Sequence, residues 1–483
     1  MNFRMIFKSI GTVICVEAAC MIPSLIVALI YNEGDAPAFI VSILAAGITG
    51  FVLMCIKSKT SLIYTRDGFA IAALGWLLIT AFGALPFILS GAIPSSVDAF
   101  FESASGFSTT GASILKDVEA APKGILFWRS FTHWIGGMGV LILMIALIPS
   151  VKPSTLHILK AESPGPSPGK FVPKIGQSTK ILYLIYAALT AIQVIILAIG
   201  GMPLYDNLVH TFGTAGTGGF SSRNASVGAY GSLYMEIVIA VFMFLFGVNF
   251  SLYYMALKGD IKSSLWDEEL RFYFTTVVAA IVLITLNIKG TIFPSIGESL
   301  RHSSFTVSSI ITTTGYTNTD FNLWPWFSKC IIYLLMFMGA SAGSTGGGIK
   351  CIRILLLFKI AKREIKKITH PRMVQTVKLN GRVVDEAILS GILTFFFLFI
   401  AIFALSVLIV SFEGQDFVTT TSAVISCLSN IGPGLGTVGP AGNYSGFTDF
   451  SKIILSLDMI TGRLEIFPIL LLFLPSFWKR STI

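Results

Sequence analysis

The sequence predicts an all-α polytopic membrane protein of about ten spans, in which four tandem helix–pore loop–helix repeats follow two extra N-terminal helices. Three observations carry this. The 483 residues are 54% apolar and only 12% charged, with mean hydropathy +0.80, and several apolar runs reach the ~20 residues that a helix needs to cross a bilayer. Four glycine-centred loops recur between long apolar segments: Gly111, Gly219, Gly315 and Gly432 stand 108, 96 and 117 residues apart, about a quarter of the chain each time. Lys and Arg are distributed unevenly: with residue 1 cytoplasmic and ten spans, 25 of 34 fall on the cytoplasmic side, seven outside, and Arg129 and Arg463 within spans. That is the positive-inside bias, and it puts both termini in the cytoplasm.

The elements follow in order. Residues 1–67 form an N-terminal two-helix region, with spans 5–31 and 37–56 joined at Asn32-Glu33-Gly34-Asp35 and followed by a basic loop to Asp67. The run behind Met1 has no cleavage site and reads as a retained helix. Pore repeat 1 (68–179) has spans 69–92 and 124–149 around a pore segment 98–113. Repeat 2 (180–270) has spans 180–200 and 232–257. Repeat 3 (271–385) has spans 271–288 and 325–361, and repeat 4 (386–483) has 387–411 and 450–475. Each repeat reads as span, re-entrant half-helix, loop, span, because irregular backbone at membrane depth is tolerated only where it lines a wet cavity or is buried in protein. Asp98 and Asp206 each lie 13 residues before a loop glycine, and each is expected to cap a short helix whose negative end points inward.

The loops carry the chemistry. They contain Thr109-Thr110-Gly111, Thr217-Gly218-Gly219, Thr313-Thr314-Gly315 and Asn430-Ile431-Gly432. Glycine permits a backbone that presents its carbonyl to a narrow lumen, and Thr adds oxygen without charge. Four such loops about one axis would replace the water shell of a monovalent cation. In the second span of repeat 3, residues 339–348 contain no large side chain and include Gly343-Ser344-Thr345-Gly346-Gly347-Gly348. Interior glycines cost about 1 kcal/mol each against alanine, so an unwound or convertible intramembrane segment is expected. The stretch lacks the Gly-Lys-Ser/Thr ending of a phosphate loop. Beyond it, residues 350–382 hold ten Lys or Arg against the single acid Glu364; Lys362, Arg363, Lys366 and Lys367 form a candidate docking surface on a solvated cytoplasmic loop. Arg463, mid-span, is expected to face the interior as a barrier to cations, with Glu465 the nearest carboxylate in sequence.

Other classes are disfavoured. The six cysteines and five histidines show no metal-ligand spacing, and no catalytic constellation is evident, so an enzyme is not expected. His133, beside Trp134, reads as a packed residue. The basic charge follows topology and fits lipid headgroups or an acidic partner better than nucleic acid.

Taken with Gly462-Arg463-Leu464-Glu465 and Ala342-Gly343-Ser344-Thr345-Gly346-Gly347-Gly348-Ile349-Lys350, the four loops make the chain resemble the Trk/Ktr/HKT superfamily of potassium and sodium transport proteins, nearest the bacterial TrkH/TrkG type. The resemblance covers nearly the whole chain. It implies a pseudo-fourfold, potassium-channel-like core in the bacterial inner membrane, K+ at the filter residues above, and a gate of Gly343–Gly348 and Arg463 below. It also implies a homodimer on a cytosolic TrkA-like subunit; that partner, rather than this chain, would carry nucleotides such as NAD(H) or ATP/ADP, and this chain would need no cofactor beyond the ion. The alternatives are a sodium-permeable or cation-coupled symporter of the same fold and, more distantly, an organic-solute transporter with inverted repeats.

Overall fold

The computed structural model of the chain describes residues 1–57, 64–139, 175–371 and 375–478, which are mostly helical. The first helices, α1 (Phe3–Cys20) and α2 (Ile22–Tyr31), make one bent span, and α3 (Ala36–Met54) returns beside it. Small residues let α1 and α3 approach closely: a Cβ on Gly11 would lie 2.6 Å from Leu53 Cβ, and one on Gly50 2.6 Å from Cys15 Sγ. The turn between α2 and α3 reaches forward to α7 (Lys123–Gly137). Glu33 accepts the Lys123 N–H at 2.5 Å, and the Asp35 carboxylate packs against Gly124. Carboxylates at a helix N-terminus are favoured by its dipole.

Ahead of α7 come α4 (Thr65–Gly83), α5 (Leu85–Leu89) and the short α6 (Ser96–Phe107). After it follow α8 (Ile175–Ile199), the short α9 (Leu204–Gly216), α10 (Leu233–Phe246), α11 (Phe250–Leu257) and α12 (Ile261–Leu265). Next are α13 (Glu268–Ile288), the short α14 (Ile296–Ile311), α15 (Trp326–Met338) and α16 (Cys351–Thr369). A two-stranded hairpin, β1 (Lys378–Leu379) against β2 (Arg382–Val383), leads into α17 (Glu386–Val410), the short α18 (Phe417–Leu428), α19 (Asp449–Arg463), α20 (Phe467–Leu472) and α21 (Pro475–Trp478).

Among the described residues six helical stretches are long and apolar enough to cross a membrane, or seven if α10 and α11, which meet at 89°, count as one. The expected continuous spans differ for a physical reason. Residues 232–257 break at Gly247, and Asn249 caps α11 by accepting from the Ser251 N–H at 2.9 Å. Residues 325–361 break over 339–350, and 450–475 break at Glu465-Ile466, both with positive φ. Residues 140–149 of the expected span 124–149 lie outside the described residues. The breaks in the first two of these stretches are tied to each other inside the bundle, where the Phe250 N–H meets the Gly343 carbonyl and the Ser341 N–H meets the Gly247 carbonyl. The outward faces of α2, α8, α13 and α17 leave Ile30, Ile199, Leu286 and Phe397 exposed, a disposition suited to hydrocarbon. By contrast, every residue of α18 from Thr419 to Leu428 is buried.

The capping expectation also changes. Ser95, rather than Asp98, caps α6, accepting from the Asp98 N–H at 3.3 Å, and the Asp98 carboxylate instead takes Lys452 Nζ at 2.5 Å. Asp206 lies in the first turn of α9 and accepts from Ser222 Oγ at 2.6 Å. Each acid stands near the positive helix end, where its charge is still favourable, but spends its oxygens on tertiary partners.

Candidate ion pathway

The helices α6, α9, α14 and α18 end in the same way. The residue two before each loop glycine adopts the left-handed conformation: Thr109 (φ 58°), Thr217 (57°), Thr313 (59°) and Asn430 (59°). Its N–H returns to the carbonyl three residues back, in Gly106, Thr214, Ile310 and Cys427, at 3.1–3.2 Å. The next N–H reaches five residues back, to Ser105, Gly213, Ser309 and Ser426, at 2.8–2.9 Å. This pairing is a Schellman motif, which ordinarily takes glycine at the left-handed position. Threonine there is costly, on the order of 1–3 kcal/mol, and three of the four loops bear it. The following glycines are also at positive φ: Gly111 81°, Gly219 79°, Gly315 80° and Gly432 100°. Backbone that alternates in this way turns successive carbonyls in one direction.

The loops meet in cyclic order. A Cβ on Gly111 would collide with the Gly218 carbonyl oxygen, one on Gly219 with that of Thr314, and one on Gly315 with that of Ile431. One on Gly432 would lie 2.6 Å from the Thr110 oxygen. Glycine is therefore required twice at each position, by φ and by the neighbouring backbone. Thr110, Gly111, Gly218, Gly219, Thr314, Gly315, Ile431 and Gly432 meet in this closed ring, Thr109, Thr217, Thr313 and Asn430 stand one residue before it in each loop, and Thr109, Thr110, Thr217, Thr313, Thr314, Asn430 and Ile431 are fully buried. A cavity of about 180 Å³ opens onto all four loop glycines, with Arg129, Arg223 and Tyr444 in its wall.

Behind the ring stand residues to which sequence analysis gave no role. The buried Glu102 of α6 is ion-paired with Arg129 of α7; its carboxylate also accepts the Ile114 N–H at 2.9 Å and Ser113 Oγ at 3.0 Å. The Arg129 guanidinium lies 3.5 Å from the centre of the Phe220 ring and donates to the Ser221 carbonyl at 3.3 Å, so one buried pair braces two loops. Tyr316 donates its hydroxyl to the carbonyls of His210 (2.9 Å) and Phe220 (3.2 Å). His133 is packed, as expected, yet its Nδ1 lies 2.8 Å from the Gly106 oxygen and its Nε2 accepts the Phe220 N–H at 3.3 Å. The available signal was an ionisable side chain in an apolar span, as at Arg129.

The Gly-rich segment 339–350 has left-handed residues at Gly339, Gly343, Gly348 and Lys350 and packs directly against the third and fourth loops. The Gly347 N–H donates to Thr313 Oγ1 at 2.8 Å; a Cβ on Gly347 would overlap the Ser429 carbonyl and lie 3.0 Å from Asn430 Cβ. Gly346 faces the Thr312 oxygen. On the other side, the Gly343 carbonyl accepts the Phe250 N–H at 3.0 Å, and Thr345 Oγ1 donates to the Phe246 carbonyl at 3.2 Å. Ser344 Oγ bonds the Ser341 carbonyl at 2.6 Å, and Gly348 packs on Gly339. The break in α10–α11 thus supplies backbone partners for the break in α15–α16.

Arg463 joins these parts. It donates to the Thr345 carbonyl at 2.7 Å and to the Gly136 and Gly137 carbonyls at 2.5 and 2.6 Å, at the negative end of α7. Glu465 pairs elsewhere, with Arg353 and with Lys350 Nζ at 3.8 Å.

A family model for TrkH, described as a cation transport protein, matches residues 37–480. The chain belongs to the TrkH family. The Trk system potassium uptake protein TrkH of Salmonella typhimurium is 37% identical to it, over 99% of this chain and all of that one. The Trk system potassium uptake protein TrkG of Escherichia coli is 31% identical over 99% of each. The crystal structure of the potassium transporter TrkH from Vibrio parahaemolyticus superposes with a TM-score of 0.89 at 33% identity, covering 99% of this chain and 100% of that one. Membership of the TrkH family makes this a multi-pass membrane transport protein rather than an enzyme.

Proposed function

We propose that the protein takes up potassium across the bacterial inner membrane, with both termini cytoplasmic and the four glycine loops as its selectivity filter. The closed cyclic contact of Gly111, Gly219, Gly315 and Gly432 with the neighbouring loops' carbonyls carries this reading. Ring carbonyls exchange for the ion's water at little cost because the Schellman turns and the braces behind them already fix their directions. The negative ends of α6, α9, α14 and α18 converge on the same place and favour a cation there.

Below the ring, the segment Gly343–Gly348 and Arg463 form the gate in its closed arrangement. A fixed guanidinium next to the path repels cations, and its three carbonyl bonds tie the segment to α7. Opening requires the segment to leave Thr313, Asn430 and Arg463 together, a two-state change that a ligand of one state can bias. We assign that bias to a cytosolic TrkA-like partner bearing nucleotides, NAD(H) or ATP/ADP, bound to a homodimer of this chain through the basic face of α16.

Potassium and sodium fluxes into proteoliposomes of the purified protein test the filter. Gly219→Ala and Gly315→Ala should each abolish selective potassium flux in protein that still purifies as one species. Wild-type flux and ion preference in both variants would sink the assignment.

A further inference from the structure

The ring is not uniform. At the three levels formed by the residues Thr109–Gly111 and their counterparts in the other loops, only the carbonyl of Gly432 accepts a hydrogen bond among the described residues. It accepts two, from Ser426 Oγ at 2.7 Å and from the Tyr444 hydroxyl at 2.8 Å. A carbonyl oxygen has two lone pairs, and both are engaged. The third loop shows the contrast: Ser309, the counterpart of Ser426, donates to the carbonyl of Tyr316 at 2.7 Å, one residue past the glycine, and leaves Gly315 free.

The local sequence explains the difference. Only the fourth loop follows its glycine with proline, Pro433, which restricts the backbone of the residue before it, and Gly432 takes φ 100° where the others hold 79–81°. Tyr444 is held ready to receive the displaced carbonyl. Its N–H donates to the Ser113 carbonyl of the first loop at 2.8 Å, its ring packs 5.4 Å from Phe101 and 5.8 Å from Phe447, and it is 2% exposed.

We propose that Tyr444 and Ser426 are positioning residues that set ion selectivity by withholding the Gly432 carbonyl, so that the outer level offers the ion three glycine carbonyls rather than four. The inference rests on the reading of the ring as the filter. Selectivity among alkali cations depends on the number and field strength of the coordinating carbonyls. A missing ligand leaves room for water, and a partly hydrated site discriminates less against sodium. Removing both donors frees the Gly432 carbonyl to join the ring.

The test measures the potassium-to-sodium flux ratio of Tyr444→Phe, Ser426→Ala and the double variant in proteoliposomes. Ion-dependent thermal stabilisation of the same proteins in detergent gives a readout independent of the gate. The ratio should rise about threefold or more in the double variant and less in each single one. An unchanged or lower ratio in the double variant overturns the proposal. If the double variant does not purify as one species, Tyr444→Phe, which keeps the ring, is judged by the same criterion. Gly315→Ala runs in parallel. If it destroys discrimination while the hydroxyl variants do nothing, only the role of Tyr444 and Ser426 fails; if it too leaves the ratio unchanged, the filter reading fails with it.

Discussion

At the scale of single residues, backbone geometry and buried charge set the largest effects. Glu102 and Arg129 are both almost fully buried, and stranding one partner of such a pair costs about 3–5 kcal/mol, whereas replacing both is far milder. Arg129→Met alone should lower thermal stability more than the Glu102→Gln/Arg129→Met double variant does, and a melting series in detergent checks the order. Equal or additive losses would mean that the pair is not a coupled brace. Arg463 donates to the carbonyls of Thr345, Gly136 and Gly137, and removing it releases Thr345 from the end of α7. Arg463→Ala should therefore raise basal potassium flux, by at least about tenfold given the ~4 kcal/mol that a unit charge exerts on another at 4 Å with effective dielectric constant 20. Unaltered flux in a well-folded variant would remove the barrier role.

Among the helical elements, what could be read from sequence divides along physical lines. The loop glycines were legible because their requirement is local: positive φ and freedom from a Cβ are properties of one position. The unwound stretch 339–350 was legible for the same reason, since glycine there opposes helix whatever surrounds it. The bend at Gly247–Asn249 was not read, although a glycine with Asn, a good cap, two residues on was present; the flanking apolar residues made one continuous span look sufficient. Tyr316 was missed because its hydroxyl meets the carbonyls of His210 and Phe220, 106 and 96 residues away, and nothing local marks such a tyrosine; Tyr444 was missed although Gly432 lies only 12 residues before it, because a bond across an irregular loop follows no sequence period. Gly347 makes the element-level case testable. Its Cβ would run into Ser429 and Asn430, so Gly347→Ala should prevent the Gly-rich segment from seating under the ring. We expect raised basal flux and faster protease cleavage or hydrogen exchange within 339–350; unchanged protection of that segment would show that it tolerates the methyl group in place.

For the whole molecule, the question is how a signal at the cytoplasmic surface reaches the ring. The Gly-rich segment is continuous with α16, whose basic face was expected to dock a partner through Lys362, Arg363, Lys366 and Lys367. The structure divides these four. Arg363 is ion-paired with Glu386 of α17 and with Glu364, and Lys367 lies 3.1 Å from Glu364, while Lys359 pairs with Glu268 of α13. Lys359 and Arg363 thus anchor α16 to the bundle, and Lys362 and Lys366, exposed and without an ion pair among the described residues, are left to meet another surface. A pull on their side of α16 would act on Lys350 and Arg353, which share Glu465, and so on the segment that Arg463 holds. Exposed charges of this kind contribute little to stability, about 0–1 kcal/mol, which separates binding from folding. The variant Lys362→Ala/Lys366→Ala should keep the wild-type melting temperature and basal flux but lose most of its affinity for a TrkA-like partner, together with the nucleotide response of flux. Co-purification and nucleotide-dependent flux measure both, and a variant that still binds and responds as wild type would assign these lysines to topology alone.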